Sequence, residues 1–182
     1  EASQTDDHKN RMVLPRGRHY DLPGRGRTFA RLLQAPPGAP TILLLHGWAA
    51  TADLNWYSSY AALEGRYGLI ALDHRGHGRG IRSQKPFRLT DCADDAVALL
   101  DELGIENVVA VGYSMGGPIA QLIWRRHPSR VLGLVMCASA ASFSTTRQDQ
   151  VRFAAIGTLA LAARVVPKAL RQLIDRKSDV QG

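Results

Sequence analysis

The sequence lacks the features that mark membrane-spanning, disulfide-rich and metal-binding proteins. It has only two cysteines, Cys92 and Cys137, which lie far apart and lack metal-ligand spacing. Its longest apolar-rich stretch, residues 154–166, is too short to cross a membrane and already contains Arg164. We therefore expect no membrane span, no metal site and no cofactor, and we interpret both cysteines as buried small hydrophobic residues.

The sequence also lacks a signal-peptide pattern and a concentrated basic stripe. Residues 1–7 show no basic region followed by an apolar one, so we predict a cytoplasmic protein with reduced cysteines. The formal net charge of +7 comes mostly from arginines spread from Arg11 to Arg176, with no aromatic platform among them. We interpret them as a solvated surface and expect no nucleic-acid partner. The alternative, a basic nucleic-acid binder, would lose affinity steeply with salt.

Short apolar runs alternate with helical patterns along the chain, which predicts an α/β fold with a doubly wound, mainly parallel sheet. Continuous apolar runs, typical of strands buried on both faces, occupy residues 41–45, 69–72, 107–111 and 131–137. Two further short strands are predicted within residues 19–33, joined by a turn at 23–26. Helices are predicted around residues 56–66, from an N-cap at Thr90 to Gly104, and over residues 118–127.

The composition divides the chain into three parts. Residues 1–16 are polar and aperiodic, and we predict a disordered tail there. Residues 17–141 carry the alternating strands and helices of the core. Residues 142–182 contain two helical patterns with apolar residues on one face, and this cap segment resembles a lid over a pocket more than another layer of the core.

The most informative motif is Gly112-Tyr113-Ser114-Met115-Gly116, which lies between a predicted strand and a predicted helix. In that context G-x-S-x-G is the pattern of a nucleophile elbow, a turn so tight that a side chain at either glycine would strike a neighbouring strand or helix. The turn leaves the Ser114 hydroxyl at a helix N-terminus, where backbone amides favour developing negative charge. We therefore predict that Ser114 is a nucleophile rather than a solvated serine in a glycine-rich turn.

Two more polar segments follow predicted parallel strands, at the sheet edge where ligands bind. They are His46-Gly47-Trp48 and the segment from Asp73 to Gly78. With the serine motif following them along the chain, the sequence closely resembles the α/β-hydrolase superfamily, in its esterase-like and lipase-like serine branch. The resemblance runs from about Gly17 to Cys137 and continues more weakly into the cap segment.

The resemblance implies a role for each of these residues. Ser114 corresponds to the nucleophile, and the backbone amides of Met115 and Trp48 correspond to the two donors of an oxyanion hole. His46 is implied to organise the loop rather than to act as a base. The remaining pocket and loop residues are Gly47, Asp73, His74, Gly112, Tyr113 and Gly116. A serine at the elbow argues against the haloalkane dehalogenases and epoxide hydrolases of this fold, which attack with an aspartate there.

The chain does not contain the rest of a catalytic triad in the order that this fold uses, which is serine, then acid, then histidine. The only histidine after Ser114 is His127, on the helix that leaves the elbow, and residues 138–141 contain no acid. We therefore expect the acid and the base beyond residue 182, and we interpret the chain as a fragment of a longer hydrolase.

The sequence thus favours a serine hydrolase that acts on a small carboxylic ester or related acyl substrate through an acyl-enzyme on Ser114. A carbon–carbon bond hydrolase or a cofactor-free perhydrolase fits the same residues. In a different class, a non-catalytic small-molecule-binding module or an inactive fragment also fits. Residues 131–137 would form an exposed edge strand and the cap would cover only part of a surface, so we also expect self-association there.

Overall fold

A computed structural model describes residues 14–139. In chain order, the elements are β1 (Arg16–Leu22), β2 (Gly26–Leu33), β3 (Thr41–Leu45), α1 (Ala52–Leu63), β4 (Gly68–Leu72), α2 (Leu89–Glu102), β5 (Val108–Tyr113), α3 (Gly116–Arg126) and β6 (Val131–Cys137), with a short 3₁₀ turn at Pro128–Arg130. Arg16, which we assigned to the tail, is the first residue of β1. The rest of the predicted tail up to residue 13, and the cap segment 142–182, lie outside the described residues.

The six strands form one sheet in the order β1-β2-β4-β3-β5-β6. The β1–β2 hairpin joins the sheet through an antiparallel pairing of β2 with β4, while β4, β3, β5 and β6 are parallel to one another. This confirms the predicted mainly parallel sheet. In the register, Leu45 lies opposite both Leu72 and Gly112, so the segments that follow β3, β4 and β5 emerge at one edge.

The sheet is covered on both faces, which explains why its strands are continuously apolar. Alternate residues of β3 point to opposite sides, with Leu43 and Leu45 in the cluster formed with α2 and α3, and Leu44 in the cluster formed with α1. Leu43 and Leu45 are fully buried and Leu44 is nearly so. Burial of each such side chain stabilises the fold by about 1.5–3 kcal/mol relative to exposure.

Two predicted helix starts were wrong. The first helix begins at Ala52 rather than near residue 56, because the Thr51 hydroxyl caps it by accepting from the Leu54 amide at 3.1 Å. The second helix begins at Leu89, so Thr90 lies inside it and makes no cap. Its cap position makes no side-chain hydrogen bond, so no local side-chain cap sets this start. In its first turn, Arg25 donates to the Asp91 carbonyl at 3.1 Å and Arg75 pairs with the Asp91 carboxylate at 3.4 Å.

Two other bounds also differ from the prediction. Strand β5 begins at Val108 and continues to Tyr113, directly before the serine. Helix α3 begins at Gly116, two residues earlier than expected, because Pro118 lies in its first turn, where a missing N–H breaks no helical hydrogen bond. The predicted strand at 131–137 is confirmed as β6.

A buried ion cluster joins the hairpin, the segment after β4 and helix α2. Asp95, whose side chain is 2% exposed, accepts from Arg75 Nε and Nη2 at 2.6 and 2.7 Å, and from Arg25 Nε at 2.6 Å. Arg75 is itself only 9% exposed. The interpretation of the arginines as a solvated surface was therefore wrong for these two, since sequence spacing alone does not show which arginine meets a buried carboxylate.

The two cysteines differ in their surroundings. Cys92 is completely buried in α2, and burial raises the pKa of its thiol to about 12. Cys137 is only partly buried, contrary to our expectation, because it ends the outermost described strand. Within residues 14–139, no disulfide, no metal-binding group of three side chains and no helix long and apolar enough to cross a membrane is present.

The ion cluster predicts a large stability effect at one aspartate. We expect Asp95→Ala to lower the free energy of unfolding by about 3 kcal/mol, because the buried Arg75 loses the carboxylate that binds it at 2.6 and 2.7 Å and keeps only the Asp91 carboxylate at 3.4 Å. Asp21→Ala is the matched control, since Asp21 is 88% exposed and only 3.9 Å from Arg27. Urea denaturation of both variants measures the difference, and equal midpoints would contradict the structural role of the cluster.

Candidate active site

Ser114 lies at the junction of β5 and α3 in a left-handed backbone conformation. Its φ is +51°, a region that residues with side chains rarely adopt and that costs about 1–3 kcal/mol. Its amide donates to the Cys137 carbonyl at 2.9 Å, and its own carbonyl accepts from the Gly117 amide at 3.0 Å. The strained turn between a strand and a helix that the motif predicts is therefore present, held by backbone hydrogen bonds on both sides.

The glycines of the motif are required by close backbone approach. A Cβ on Gly116 would collide with the Leu45 carbonyl of the adjacent strand, and a Cβ on Gly112 would collide with the backbone of Gly116 and Gly117. Both are the contacts with a neighbouring strand and helix that the sequence predicted. Neither can be relieved by a rotamer change, because the atoms in the way are backbone.

The loop after β3 brings Gly47 against the serine. A Cβ placed on Gly47 would lie 3.3 Å from Ser114 Cβ and 3.2 Å from the Tyr113 ring. The Gly47 amide donates to Asn55 Oδ1 at 2.7 Å, which attaches the loop to helix α1. Trp48, the next residue, has a half-exposed side chain. The structure thus places the His46-Gly47-Trp48 segment directly beside Ser114.

His46 is a buried, neutral organiser of this loop. Its Nε2 lies 2.9 Å from the backbone amide of His74, which can only donate, so Nε2 is the acceptor. The proton is therefore on Nδ1, which donates to the Gly47 carbonyl at 2.8 Å. Burial lowers the pKa of His46 to about 4. With both nitrogens engaged, His46 has no free nitrogen with which to take a proton from Ser114.

Asp73 holds together the segment that follows β4. Its carboxylate accepts from the Ala52 amide at 2.8 Å and from the Arg79 amide and Nε at 2.9 and 3.1 Å. The residue is completely buried. A Cβ on Gly78 would collide with this carboxylate. Asp73 therefore shapes the loop from within and does not present its carboxylate to a substrate.

His74 and His77 form a cluster of imidazoles with His46 at the same edge. The His46 and His74 rings are 4.3 Å apart and those of His46 and His77 are 5.4 Å apart. His74 is completely buried, and burial holds its pKa well below the usual range, with the neighbouring His46 and His77 acting in the same direction. Neither ring nitrogen of His74 has a hydrogen-bond partner among the described residues.

Aromatic side chains surround the mouth of this edge. Trp48 makes edge-to-face contacts with His77 at 5.1 Å and with Phe87 at 5.2 Å. Tyr113 lies 6.4 Å from Trp56, also edge to face. Trp48, Phe87 and Tyr113 are between 37% and 50% exposed. They give the region around Ser114 an apolar, aromatic border.

Two backbone amides beside Ser114 have no partner within residues 14–139. The amides of Trp48 and Met115 donate no hydrogen bond to any group in this part of the chain, whereas those of Gly47 and Ser114 do. These are the two amides that the family resemblance implies as oxyanion donors. No group among residues 14–139 therefore occupies either N–H.

Sequence reasoning missed several residues that position the site. Asn55 anchors Gly47, and the Ser139 hydroxyl donates to the Ser114 carbonyl at 2.9 Å. The signal for Ser139 was a small polar residue two positions after a strand whose end lies beside the elbow.

Within residues 14–139, no histidine or carboxylate side chain makes a hydrogen bond with the Ser114 side chain. His77 Nδ1 contacts the Arg75 carbonyl at 3.0 Å, and His127, directly after α3, has its Nε2 3.3 Å from Asp94 Oδ1. A cavity of about 560 Å³ does lie in the described part of the molecule, but Thr41 and Leu69, which open β3 and β4, line it. It is therefore at the opposite edge of the sheet from Ser114.

Comparison with known proteins gives the same fold. Residues 40–166 match the family model described as alpha/beta hydrolase fold. Epoxide hydrolase B of Mycobacterium tuberculosis is 35% identical over 125 residues, which are 64% of this chain and 34% of that protein. The chain thus spans about a third of the length of this curated relative.

Two solved structures of related enzymes superpose on the chain. A serine hydrolase from the polyaromatic-hydrocarbon-degrading bacterium Cycloclasticus zankles has a TM-score of 0.63 at 30% identity, covering 72% of this chain and 48% of that one. Est816, described as an N-acyl homoserine lactone degrading enzyme, has a TM-score of 0.65 at 27% identity, covering 80% and 55% respectively. The chain spans about half the length of both.

The neutral state of His46 predicts a defined loss of stability in acid. Its folded pKa of about 4 lies below the ordinary value of 6.5, so between these values the unfolded chain binds more protons. Stability is therefore full above pH 6.5 and falls as the pH drops toward 4, by roughly 2 kcal/mol at pH 5 from this residue alone.

Urea denaturation at pH 7.5 and pH 5 tests this expectation. We expect His46→Gln to reduce the difference between the two pH values, whereas His19→Gln, at an exposed histidine, leaves it unchanged. The carboxylates with lowered pKa, Asp53 and Asp94, lose their contribution only at lower pH. A pH 5 loss that is the same in His46→Gln as in the unsubstituted chain would contradict the buried neutral imidazole.

Proposed function

The chain belongs to the alpha/beta hydrolase fold family, and we propose that it is the nucleophile-bearing part of a serine hydrolase that acts on a small carboxylic ester or related acyl compound. The observation that carries this proposal is the left-handed conformation of Ser114, at the sheet edge where Gly47 and the free amides of Trp48 and Met115 also lie. Such strain is retained where the surrounding structure enforces it, typically at functional sites.

In the proposed reaction, Ser114 Oγ attacks the substrate carbonyl carbon and the carbonyl oxygen becomes an oxyanion. The Trp48 and Met115 amides donate to that oxygen, and each such donor contributes about 3–4 kcal/mol to transition-state stabilisation. Collapse of the tetrahedral intermediate breaks the bond to the leaving alcohol and forms an acyl-enzyme. Water then hydrolyses the acyl-enzyme, which releases the acid and restores Ser114.

The proton of Ser114 has to pass to a base and then to the leaving alkoxide. His46 uses both nitrogens within the loop, His74 is completely buried, and His127 contacts Asp94 at the far end of α3. We propose that the base, and the acid that orients it, come from sequence that follows residue 182. Additional sequence is consistent with the length of one relative, because the epoxide hydrolase is about three times as long as the matched segment.

The serine distinguishes this proposal from epoxide hydrolysis, the activity in the name of one relative. Opening an epoxide through a covalent intermediate in this fold uses a carboxylate at the elbow, and this chain has a hydroxyl there. The similarity to a serine hydrolase and to an enzyme named for degrading a lactone, which is a cyclic ester, favours acyl chemistry. A carbon–carbon bond hydrolase or a perhydrolase would use Ser114 in the same place.

A non-catalytic binding module is the second candidate, favoured by the absence of a base within residues 14–139. It predicts that small-molecule binding persists unchanged in Ser114→Ala and that no substrate is turned over.

Two further expectations stay predictions: a cytoplasmic location, in which Cys92 and Cys137 remain thiols, and the absence of a nucleic-acid partner. The second is checked by the salt dependence of any binding to DNA or RNA.

The proposal predicts that acyl transfer depends on Ser114 and on sequence beyond residue 182. We expect a C-terminally extended protein to hydrolyse p-nitrophenyl acetate, and Ser114→Ala to abolish the reaction. Chain 1–182 should be slower by about 10²–10⁴-fold, because general-base assistance is missing. The control is Ser58→Ala, at an exposed serine of α1, which should keep full activity. Full activity of chain 1–182 would contradict the missing base.

The outer strand predicts self-association of chain 1–182. Leu132, Val135 and Met136 of β6 are 60%, 45% and 40% exposed, and no strand in the described part of the chain pairs with its outer edge. An unpaired apolar edge invites pairing with another chain. We expect Leu132→Lys to reduce the apparent mass in size-exclusion chromatography with light scattering. Leu54→Lys, at a 63% exposed leucine of α1, is the matched control. A monodisperse monomer would contradict this prediction.

A further inference from the structure

We propose that Ser139 is a positioning residue that orients the Met115 amide as an oxyanion donor. This inference rests on the proposed function, since it concerns the same nucleophile. Ser139 lies two residues after β6, in the part of the chain that directly follows the last described strand. Its hydroxyl donates to the carbonyl of Ser114 at 2.9 Å.

The contact acts on Met115 through the geometry of the peptide bond. The Ser114 carbonyl and the Met115 amide belong to one planar trans unit, so they point in opposite directions and turn together. The carbonyl accepts from two sides, from the Gly117 amide at 3.0 Å and from Ser139. Holding the carbonyl in this way aims the Met115 N–H away from them, with no partner in residues 14–139.

The backbone and the packing around Ser139 position its hydroxyl at the Ser114 carbonyl. Ala138 has a φ of +45°, a left-handed conformation that turns the chain back toward the elbow directly after β6. A Cβ on Gly117 would collide with the Ser139 side chain, so the first turn of α3 has a gap that this side chain fills. The Ser114 amide also donates to the Cys137 carbonyl at 2.9 Å, which fastens the same segment to the nucleophile.

The loop on the other side of the serine uses the same arrangement. His46 Nδ1 donates to the Gly47 carbonyl at 2.8 Å, and that carbonyl shares its peptide plane with the Trp48 amide. The peptide planes of the Trp48 and Met115 amides are thus each held by one side-chain donor, which binds the carbonyl on the opposite side of the plane. The second donor, Ser139, comes from the segment that follows β6, so the end of that strand is linked to the nucleophile after β5.

The test compares Ser139→Ala with Ser139→Thr and Ser58→Ala in the C-terminally extended protein. We expect Ser139→Ala to lower kcat for p-nitrophenyl acetate about tenfold, less than the 10²–10³-fold loss on removing an oxyanion donor outright. KM should stay unchanged, and the thermal midpoint should fall only slightly, as expected for the loss of one hydrogen bond. Ser139→Thr keeps the hydroxyl and should retain kcat within about threefold. A Ser139→Ala enzyme with the kcat of the parent protein would overturn the proposal, as would an equal fall in stability and activity in both variants.

A second measurement does not depend on turnover. In ¹³C-labelled chain 1–182, the Ser114 carbonyl resonance should move upfield in Ser139→Ala, because the carbonyl loses one of its two donors, and should not move in Ser58→Ala. An unmoved resonance would overturn the contact itself. If the resonance moves but the extended parent protein shows no Ser114-dependent turnover, the proposed function fails. If the parent turns over and Ser139→Ala matches it, only the positioning role fails.

Discussion

The candidate site depends on the close approach of strand β3 to the first turn of helix α3. The Leu45 carbonyl occupies the space that a side chain at position 116 would need, and the start of α3 does the same to position 112. Because every atom that a Cβ would meet at less than 3.0 Å in these contacts is backbone, only glycine permits them. The approach brings the end of β3 beside the end of β5, so Gly47 lies against Ser114. The strain at Ser114, about 1–3 kcal/mol, is held by hydrogen bonds to Cys137, Gly117 and Ser139.

The loop on the β3 side depends on an imidazole that stays neutral. His46 accepts from the His74 amide and donates to the Gly47 carbonyl, and only one tautomer of the uncharged ring can do both. A protonated ring would place a donor opposite the His74 amide, which is also a donor. Burial favours the neutral form, so the same environment that covers the ring also keeps its hydrogen bonds correct. Stability and orientation of the loop therefore have one cause.

Local patterns predicted the sheet and the elbow well, and long-range contacts account for what they missed. Burial on both faces requires the apolar runs of β3, β4 and β6, and close backbone contacts require glycine at positions 112 and 116. Both requirements are visible in the residue types themselves. Helix α2 begins at Leu89 without a side-chain cap, so the capping pattern at Thr90 does not mark its start. Ser139 was missed because its partner is the carbonyl of a residue 25 positions earlier. The roles of Trp48 and Met115 remain predictions that their free amides support.

The described residues contain groups that could stabilise an oxyanion, but they do not bring a proton-transferring group into contact with Ser114. Groups that stabilise an oxyanion are backbone amides, and they can be fixed by peptide planes, glycines and neutral side chains without any titration. Groups that move a proton have to change charge. Among the described residues at this edge, His46 and His74 are buried and neutral, His77 Nδ1 contacts the Arg75 carbonyl at 3.0 Å, and Asp73 accepts three hydrogen bonds. An oxyanion hole alone still supports about 10³–10⁴-fold catalysis over water. Under the proposed function, the parallel sheet positions the oxyanion donors, and the base comes from outside the described residues.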